Sequence, residues 1–376
     1  MDTIDTVEAH LLKVPLTTPY RLAFGPVDHY DTIIVELRDA DGRYGFGEAT
    51  LLTGYTDETI DGAWKLAREL AAEFAGGEPS SIESRLDALA HTAPFVCTAF
   101  HTALDMLRGH ELLAIAEPTR VPLLGLLQGK DDAELHEAFE RLLGEGYRTV
   151  KIKVGFDVAA DLDYVAKIQR TVDGRAAIRV DANQGYDREQ ARAFVRGLDP
   201  AGIELFEQPC AAGDWDAHEA AVDAASRTGL SLMLDESIYG IADIERAARE
   251  GACRYIKVKL MKFVGLDALV AAIGRIRALG LSPVLGNGVA CDVSCWMEAC
   301  VAARHIDNAG EMNGFRKAQR MLLAPPLGFD RGHIVLELAP LPVLDSEAVA
   351  HYRCDRASER RALSASACAS TPSSPA

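Results

Sequence analysis

Residues 177–184 read AIRVDANQ, a short apolar run that ends in a carboxylate. Comparable runs precede and follow it, TVKIK at 149–153 and IELFEQP at 203–209. Stretches with apolar residues at helical spacing separate these runs, as at 161–172 and 188–198. Strand-like and helical segments that alternate with a period of about 25 to 30 residues predict parallel βα units. The strand-like runs of this series are 149–154, 177–180, 203–206, 230–234, 255–260 and 281–285.

At least six βα units in succession are more consistent with a closed barrel than with an open sheet. We therefore predict an α/β protein built on a (β/α)7-8 TIM-type barrel. Upstream of the barrel, strand-like runs at 7–14 and 32–38 are followed by apolar residues at helical spacing, which indicates an α+β capping domain. The predicted divisions are a cap at 1–122, the barrel at 123–330, a C-terminal segment at 331–360 that returns to the cap, and a disordered tail at 361–376.

The chain of 376 residues carries a formal net charge of −17. The field of such a protein repels nucleic acid and anionic membranes, so neither is an expected partner. Charged residues interrupt the apolar stretches every few positions, and residues 1–13 do not read as a signal peptide, which favours a cytoplasmic location. The eight cysteines show no CxxC spacing, so we expect reduced thiols rather than disulfides or a zinc site.

Two lysines end the first run of the series. Lys151 and Lys153 are two residues apart, so both side chains point to the same face of a strand. In a (β/α)₈ barrel the carboxyl ends of the strands form the active-site face. Two buried like charges lower each other's pKa, which would make one of these lysines a usable general base. Taken alone, the pair also fits two exposed lysines at a strand end.

The next three runs end in acids, at Asp181, Glu207 and Asp235. Three carboxylates that converge from neighbouring strands repel one another unless a cation lies among them. Oxygen ligands suit a hard divalent ion, so we predict a Mg²⁺ site, with Mn²⁺ as an alternative. Each acid by itself also fits a helix N-cap. The succession of three favours the metal site over three separate caps.

Lys259 belongs to the run that follows, across the predicted barrel mouth from Lys153. The α-proton of a carboxylate is weakly acidic, and a metal ion that stabilises the developing enediolate removes much of the barrier. One lysine then takes the proton while the opposite lysine returns one. The pattern therefore predicts proton abstraction from a small carboxylate substrate.

The order Lys-x-Lys, Asp, Glu, Asp and Lys on successive strands resembles the enolase superfamily, in the muconate-lactonising (muconate cycloisomerase) subgroup of the mandelate racemase/muconate lactonizing enzyme family. The similarity extends through GFGEA at 45–49, ALDML at 103–107 and GNG at 286–288. The resemblance implies a TIM-type barrel with a capping domain, a Mg²⁺ cofactor, a homo-oligomer, and an activity as racemase, epimerase or cycloisomerase.

The resemblance also implies roles for individual residues. The three acids named above look like the Mg²⁺ ligands, and Lys153 and Lys259 look like the acid/base residues on the two faces of the substrate. Lys151 would contact the substrate carboxylate and lower the pKa of Lys153. Lys262 is one residue out of strand phase with Lys259, so we expect its side chain to point away from the site.

Two positions depart from the family pattern. Lys257 stands where similar sequences usually have a small polar residue, which adds a positive charge near the catalytic lysine. Val264-Gly265 stands where they have Gly-Gly. Neither departure removes a residue that the resemblance identifies as catalytic.

Specificity is expected to lie in the cap and in the last barrel strands. Phe24 and Tyr55 belong to segments that resemble the loops that close over substrate, although both also fit cap core. Acids in the last two units can hold an ammonium group, but the Asp-x-Asp pair that similar dipeptide epimerases use is missing. For Asp292 and Asp307 the alternative is helix capping or a solvent-facing charge. The predicted substrate-binding residues are Phe24, Tyr55, Asn183, Asp292 and Glu311.

These observations predict a Mg²⁺-dependent lysine acid/base enzyme, in the first place a racemase or epimerase of an amino-acid derivative. The alternatives are cycloisomerisation of a muconate-like diacid and dehydration of a β-hydroxy amino acid such as a hydroxyproline. A Schiff-base lyase that uses Lys153 or Lys259 without metal is a hypothesis of a different class, and so is a non-catalytic scaffold. The three acids at the strand ends argue against both.

Overall fold

A computed structural model describes residues 3–22, 25–52, 58–338 and 341–361. The predictions for Phe24, for Tyr55 and for the tail beyond residue 361 lie outside these ranges. None of the helices in the described ranges is long and apolar enough to cross a membrane. The seven cysteines within the same ranges are free thiols.

The N-terminal region consists of three antiparallel strands followed by three helices. The hydroxyl of Thr59 accepts a hydrogen bond from the backbone N–H of Gly62 and so caps the first helix, and a proline opens each of the other two. The elements are β1 (Ile4–Leu22), β2 (Gly25–Asp39), β3 (Tyr44–Leu51), α1 (Ile60–Phe74), α2 (Pro79–Leu89) and α3 (Pro94–Leu107), then a 3₁₀ turn at Glu111–Leu113 and β4 (Thr119–Pro122).

Seven parallel strands, adjacent in chain order, form the barrel sheet. They are β5 (Gly125–Leu126), β6 (Thr149–Lys153), β7 (Ala177–Asp181), β8 (Ile203–Glu207), β9 (Leu232–Leu234), β10 (Tyr255–Val258) and β11 (Ser282–Leu285). The helices between and after them are α4 (Asp132–Gly144), α5 (Val158–Val172), α6 (Arg188–Gly197), α7 (Trp215–Ala225), α8 (Ile241–Arg249), α9 (Leu260–Phe263), α10 (Leu266–Ala278) and α11 (Asp292–His305). The predicted alternation of strands and helices is confirmed.

The C-terminal region adds short elements to both parts of the molecule. These are a 3₁₀ turn at Gly314–Arg316, then β12 (Leu323–Ala324), β13 (Gly328–Asp330), β14 (His333–Leu336), β15 (Val343–Leu344), α12 (Ser346–Tyr352) and β16 (Arg353–Arg360). Strand β14 pairs with β4, and β16 pairs antiparallel with β1. The cap sheet therefore has the order β16-β1-β2-β3.

A short extended segment closes the barrel between β11 and β5. The backbone N–H of Glu311 donates to Leu285 O at 3.1 Å, and the N–H of Gly310 donates to Pro122 O at 2.9 Å. Inside the barrel, the buried guanidinium of Arg179 donates to Ala309 O at 2.7 Å and so ties this segment to β7. The fold class expected from the sequence, an α/β barrel with an α+β cap, is confirmed.

The two faces of the cap sheet belong to different hydrophobic cores. Because side chains alternate along a strand, Ile33 and Val35 point to one face and Ile34 to the other. Ile33 and Val35 pack with helices α1 to α3, whereas Ile34 and Leu12 are part of the core that extends through the barrel. The cap is thus packed on the barrel by one face of its own sheet.

Two glycines in the GFGEA motif bring helix α3 against strand β3. A Cβ atom at Gly45 would overlap the carbonyl oxygen of Ala103, and one at Gly47 would overlap the carbonyl oxygen of Ala99 and the hydroxyl of Thr102. The helix therefore lies directly on the backbone of the strand. No side chain fits at either position without moving the helix.

Two carboxylates of the cap bind the N-terminal ends of barrel helices. Glu48 on β3 accepts hydrogen bonds from the backbone N–H groups of Cys291 at 2.7 Å and Ser294 at 2.9 Å, at the start of α11. Asp105 on α3 accepts one from Leu266 N at 3.1 Å, at the start of α10. Helix N-termini favour negative charge, so these contacts fix the cap on the barrel. Burial nevertheless raises the pKa of Glu48 to about 7.

The substitution Gly47→Ala tests the close approach of α3 to β3. The added methyl group overlaps helix backbone, so we expect a loss of at least about 2 kcal/mol of unfolding free energy. Gly274→Ala is the matched control, because a Cβ there meets no atom within 4 Å and lies in the interior of α10. It should instead stabilise the protein by about 0.5–1 kcal/mol. Chemical denaturation measures the unfolding free energy of both variants. Equal changes in the two variants would contradict the close approach of α3 to β3.

The raised pKa of Glu48 predicts a pH-dependent contribution to stability. The folded protein holds this proton up to about pH 7 and the unfolded chain releases it near 4.5, so wild type loses stability as pH rises between these values. Glu48→Gln lacks this titration. Between pH 4.5 and 8 the unfolding free energy of wild type should fall relative to that of Glu48→Gln by about 3 kcal/mol. If the difference in unfolding free energy between wild type and Glu48→Gln stays constant across this range, the pKa of Glu48 is not raised.

Candidate active site

The charged residues predicted from the sequence lie together at the carboxyl ends of strands β6 to β10. Asp181, Glu207 and Asp235 are fully buried, on three neighbouring strands. Lys153 is the most accessible member of the group, with 23% of its side chain exposed. Residues on one face of adjacent parallel strands project to the same end of the barrel, which explains why separate sequence runs meet here.

Lys151 bridges three carboxylates. Its Nζ lies 2.7 Å from Asp181, 2.8 Å from Glu207 and 2.9 Å from Glu311. Burial opposes the charged form of this lysine, but the three acids outweigh burial and hold its pKa well above the usual value. The expectation that the lysine pair would lower each other's pKa is therefore wrong for Lys151, whose ammonium group faces protein carboxylates.

Lys153 is held at the edge of the same cluster. Its Nζ lies 2.6 Å from Asp181 Oδ2 and donates to the side-chain oxygen of Asn183. Asn183 in turn donates to Glu236 at 3.0 Å. Burial raises the pKa of Asp181, but Lys151 and Lys153 more than offset it and lower the pKa to about 2. Asn183, predicted to bind substrate, thus contacts the predicted base directly.

Two lysines bind Asp235 from the next strand. Lys259 Nζ lies 2.9 Å from Asp235 Oδ2, and Lys262 Nζ lies 3.1 Å from Asp235 Oδ1 and donates to the backbone carbonyl of the same residue. The expectation that Lys262 points away is therefore wrong. Strand β10 ends at Val258 and one helical turn, α9, begins at Leu260, so a spacing of three returns Lys262 to the side of Lys259.

The two lysines on Asp235 differ in basicity. Burial lowers the pKa of Lys262 to about 8 because its single carboxylate partner does not compensate for lost hydration. For Lys259, burial acts in the same direction, but Asp235 and other acids outweigh it and raise the pKa. The ring of Tyr239 lies 4.5 Å from Lys262 Nζ and covers it on another side.

Lys257, the residue that departs from the family pattern, is part of the cluster. It is 2% exposed, and its Nζ lies 3.0 Å from Glu207 Oε1 and 3.8 Å from Asp235 Oδ2. It also pairs with Glu311 Oε2, the atom that Lys151 contacts. Lys151 and Lys257 thus bind both Glu207 and Glu311, which closes a ring of four buried charges.

The other oxygen of Glu311 faces a cluster of polar groups over Gly288. An ideal Cβ at Gly288 would lie 3.2 Å from Glu311 Oε1, 3.5 Å from Lys317 Nζ and 3.6 Å from Asn313 Oδ1. This Asn313 oxygen is buried and accepts no hydrogen bond from the described residues. Two acceptors and one cation therefore converge where the glycine leaves space.

Asp292 has a structural contact instead of the predicted one. Both of its oxygens accept backbone hydrogen bonds, from Leu322 at 2.8 Å and Leu323 at 2.7 Å. The carboxylate is buried, which raises its pKa to about 6. We therefore withdraw Asp292 as a substrate-binding residue. Its buried carboxylate is neither a helix cap nor solvent-facing, because it binds the backbone at Leu322 and at the start of β12. Asp307 is largely exposed and lies 4.0 Å from Arg277.

Two residues that the sequence analysis did not select also hold the site together. Gln208 accepts from Asp235 N at 2.8 Å and donates to Ser237 Oγ at 2.8 Å, so it fixes the loop after β9. Glu298 accepts from Leu260 N at 3.0 Å, at the start of the turn that carries Lys262. The sequence does contain a signal for Gln208, because this residue directly follows Glu207, an acid at a strand end.

The donor set of the three strand-end acids fits a hard divalent ion. Asp181, Glu207 and Asp235 offer carboxylate oxygens alone, and their present partners are lysine ammonium groups, so the pocket is built for positive charge. A second group, Glu8, His10 and Glu36 on the cap sheet, brings three ligand atoms within 4.8 Å of one another. There, however, Arg356 already neutralises Glu8 at 2.7 Å.

Comparison with known proteins agrees with this geometry. The family described as mandelate racemase/muconate lactonizing enzyme, N-terminal domain, matches residues 6–108, and the family described as enolase C-terminal domain-like matches residues 134–340. The chain therefore belongs to the mandelate racemase/muconate lactonizing enzyme family of the enolase superfamily. Enzymes of this family generally use a divalent metal ion.

Relatives narrow the class of activity. The L-Lys-D/L-Arg epimerase of Methylococcus capsulatus is 31% identical, over 82% of this chain and 91% of its own. The aromatic dipeptide epimerase of Herpetosiphon aurantiacus is 30% identical, over 80% and 86%. The solved N-succinyl Arg/Lys racemase of Bacillus cereus shares the fold, with a TM-score of 0.85 at 24% identity over 96% of this chain and 100% of that one. The chain is accordingly an isomerase of the racemase and epimerase type.

The contacts of Lys151 predict a large effect of Lys151→Met on stability. The substitution leaves buried carboxylates without a shared cation, which should cost about 3–5 kcal/mol of unfolding free energy. Lys65→Met is the control, because Lys65 is 74% exposed and should change stability by less than about 0.5 kcal/mol. Urea denaturation with chelator present keeps metal ions from replacing the lost charge. Similar changes in unfolding free energy for the two variants would contradict the role of Lys151 as a shared partner of three carboxylates.

Proposed function

We propose that this protein is a Mg²⁺-dependent racemase or epimerase of N-acylated amino acids, and that Lys153 and Lys259 are its two acid/base residues. The observation that carries the proposal is the arrangement of lysines on either side of three strand-end carboxylates. Lys153 contacts the first acid of the series, Asp181, and Lys259 contacts the last, Asp235. A substrate bound over the carboxylates would present one face to each lysine.

The three carboxylates would hold the metal ion through oxygen atoms, with Mn²⁺ as an alternative to Mg²⁺. When bound, the ion supplies positive charge for the substrate carboxylate as the neighbouring carbon loses its proton. This charge matters because the α-proton of a carboxylate is otherwise too weakly acidic for a lysine to remove. Lys151 cannot supply it alone, since three protein carboxylates share its single charge.

The lysines would carry the proton in both directions. In one direction, neutral Lys153 takes the α-proton onto Nζ, the C–H electron pair moves toward the substrate carboxylate, and the ammonium of Lys259 returns a proton on the opposite face. In the other direction the two lysines exchange roles. Lys259 keeps 10% of its side chain exposed, whereas Lys262 is 3% exposed, donates to the backbone carbonyl of Asp235 and lies under the ring of Tyr239, which favours Lys259 as the second acid/base residue.

The cluster at Gly288 would receive the group on the substrate nitrogen. Glu311 Oε1 and Asn313 Oδ1 are acceptors and Lys317 Nζ is a donor, so both an aminoacyl and a simple acyl group find partners there. The relatives support this class, because a dipeptide and an N-succinyl amino acid share an acylated nitrogen beside a carbon that carries a hydrogen. The assignment of Glu311 to substrate binding is retained through this second oxygen.

The test is loss of the α-proton signal in D₂O by ¹H NMR, with Mg²⁺ and a panel of dipeptides, N-acylamino acids, hydroxyprolines and muconates. Wild type should interconvert two stereoisomers of an N-acylated amino acid. Lys153→Ala and Lys259→Ala should each lose exchange of a different stereoisomer by at least about 100-fold. Lys130→Ala, at an exposed lysine, is the control and should exchange as wild type does. Chelator should abolish exchange, and added Mg²⁺ should restore it.

Other results would redirect the assignment. If Lys262→Ala, and not Lys259→Ala, loses exchange of one stereoisomer, Lys262 is the second base. A lactone product would establish a cycloisomerase, and a dehydrated acid would establish a dehydratase. Exchange that persists in chelator, together with borohydride trapping of a lysine adduct, would establish a Schiff-base enzyme.

A further inference from the structure

We propose that Lys257 is a built-in competitor of the divalent metal ion for Glu207, and that Glu311 is the acceptor that draws Lys257 away from it. The proposal concerns metal affinity, which neither the family relationship nor the proposed reaction assigns to these two residues. It rests on the choice of Asp181, Glu207 and Asp235 as metal ligands, and it does not depend on which substrate the enzyme uses.

The position of Lys257 supplies the first step of the argument. Its ammonium group lies 3.0 Å from one oxygen of Glu207 and 3.8 Å from one oxygen of Asp235, so a single cation faces two of the three proposed ligands. The side chain is 2% exposed, so water screens its charge little. A divalent ion that uses Glu207 must displace the ammonium from Oε1 or bind beside it, and both raise the dissociation constant of the metal.

Glu311 supplies the second step. The same ammonium pairs with Glu311 Oε2, which belongs to the segment that closes the barrel and not to a proposed metal ligand. Lys257 therefore has two carboxylate partners. When the metal ion binds Glu207, the pair with Glu311 still neutralises the ammonium charge. Glu311 thus compensates the charge of Lys257 while Glu207 binds the metal ion. Lys151 contacts the two carboxylates of this ring as well, but it also binds Asp181 at 2.7 Å.

The experiment measures metal affinity without substrate. Free Mn²⁺ is followed by its EPR signal, and Mg²⁺ by isothermal titration calorimetry, for the full-length wild type, Lys257→Met, Glu311→Gln and the double variant. Lys257→Met should bind metal at least tenfold more tightly than wild type, and Glu311→Gln at least tenfold more weakly. Lys257→Arg keeps the charge and should stay within threefold of wild type.

The double variant separates this role from simple loss of negative charge. If Glu311 acts by holding Lys257, Glu311→Gln has little effect once Lys257 is methionine, so the double variant should bind nearly as tightly as Lys257→Met. If Glu311 is merely another nearby charge, its substitution weakens binding by the same factor in both backgrounds, which would overturn the proposal. Metal binding by Lys257→Met no tighter than that of wild type, or binding by no variant, would also overturn it.

Folding is checked by circular dichroism and thermal melting in chelator. If Lys257→Met does not fold, Lys257→Gln removes the charge while it keeps a polar group near Glu207 and Glu311, and the same comparison applies. Proton exchange is measured separately, so a failure of the proposed racemase or epimerase activity leaves the ratio of dissociation constants intact. Exchange is measured on the wild type with Mg²⁺, so a different ratio of dissociation constants among the variants does not change its outcome.

Discussion

The structure depends on the compensation of buried charge inside the barrel mouth. Four carboxylates and five lysines meet in a region that excludes most water, and each ion would be costly there without a partner. The residues of this cluster are Asp181, Glu207, Asp235, Glu311, Lys151, Lys153, Lys257, Lys259 and Lys262. Their pairing requires parallel strands that end at one level, and the barrel provides this arrangement. The proposed acid/base chemistry would use the same charges that stabilise the folded state.

The cap takes part in this arrangement through the turn that carries Lys262. Val264, one turn after Leu260, adopts a left-handed conformation with φ of 63° and packs into the hydrophobic core of the cap. Such a conformation is rare for a β-branched residue and persists when surrounding contacts hold it. Asp105 and Glu298 bind the backbone on either side of this turn. The position of Lys259, which directly precedes this turn, thus depends on helix α3 as well as on the barrel.

The sequence predicted the barrel and much of the site because strand periodicity and strand-end charges are local signals. It failed where local rules change or where the partner is distant. Lys262 was misplaced because strand alternation was continued through a helical turn. Asp292 was misassigned because its partners are backbone amides at Leu322 and at the start of β12, which have no sequence signature. The ring formed by Lys257 and Glu311 joins residues from β10 and the closing segment, and only tertiary structure brings them together.

The outer strand of the cap sheet has a consequence for biosynthesis. Strand β16 lies beside β1, with Arg360 opposite Thr6, so the first and last strands of the described chain are neighbours. During translation the first strand leaves the ribosome long before its partner exists, and its backbone N–H and C=O groups on that edge remain unpaired meanwhile. Unpaired strand edges are prone to join other chains. Completion of the cap sheet therefore awaits the synthesis of β16, which follows that of the barrel strands.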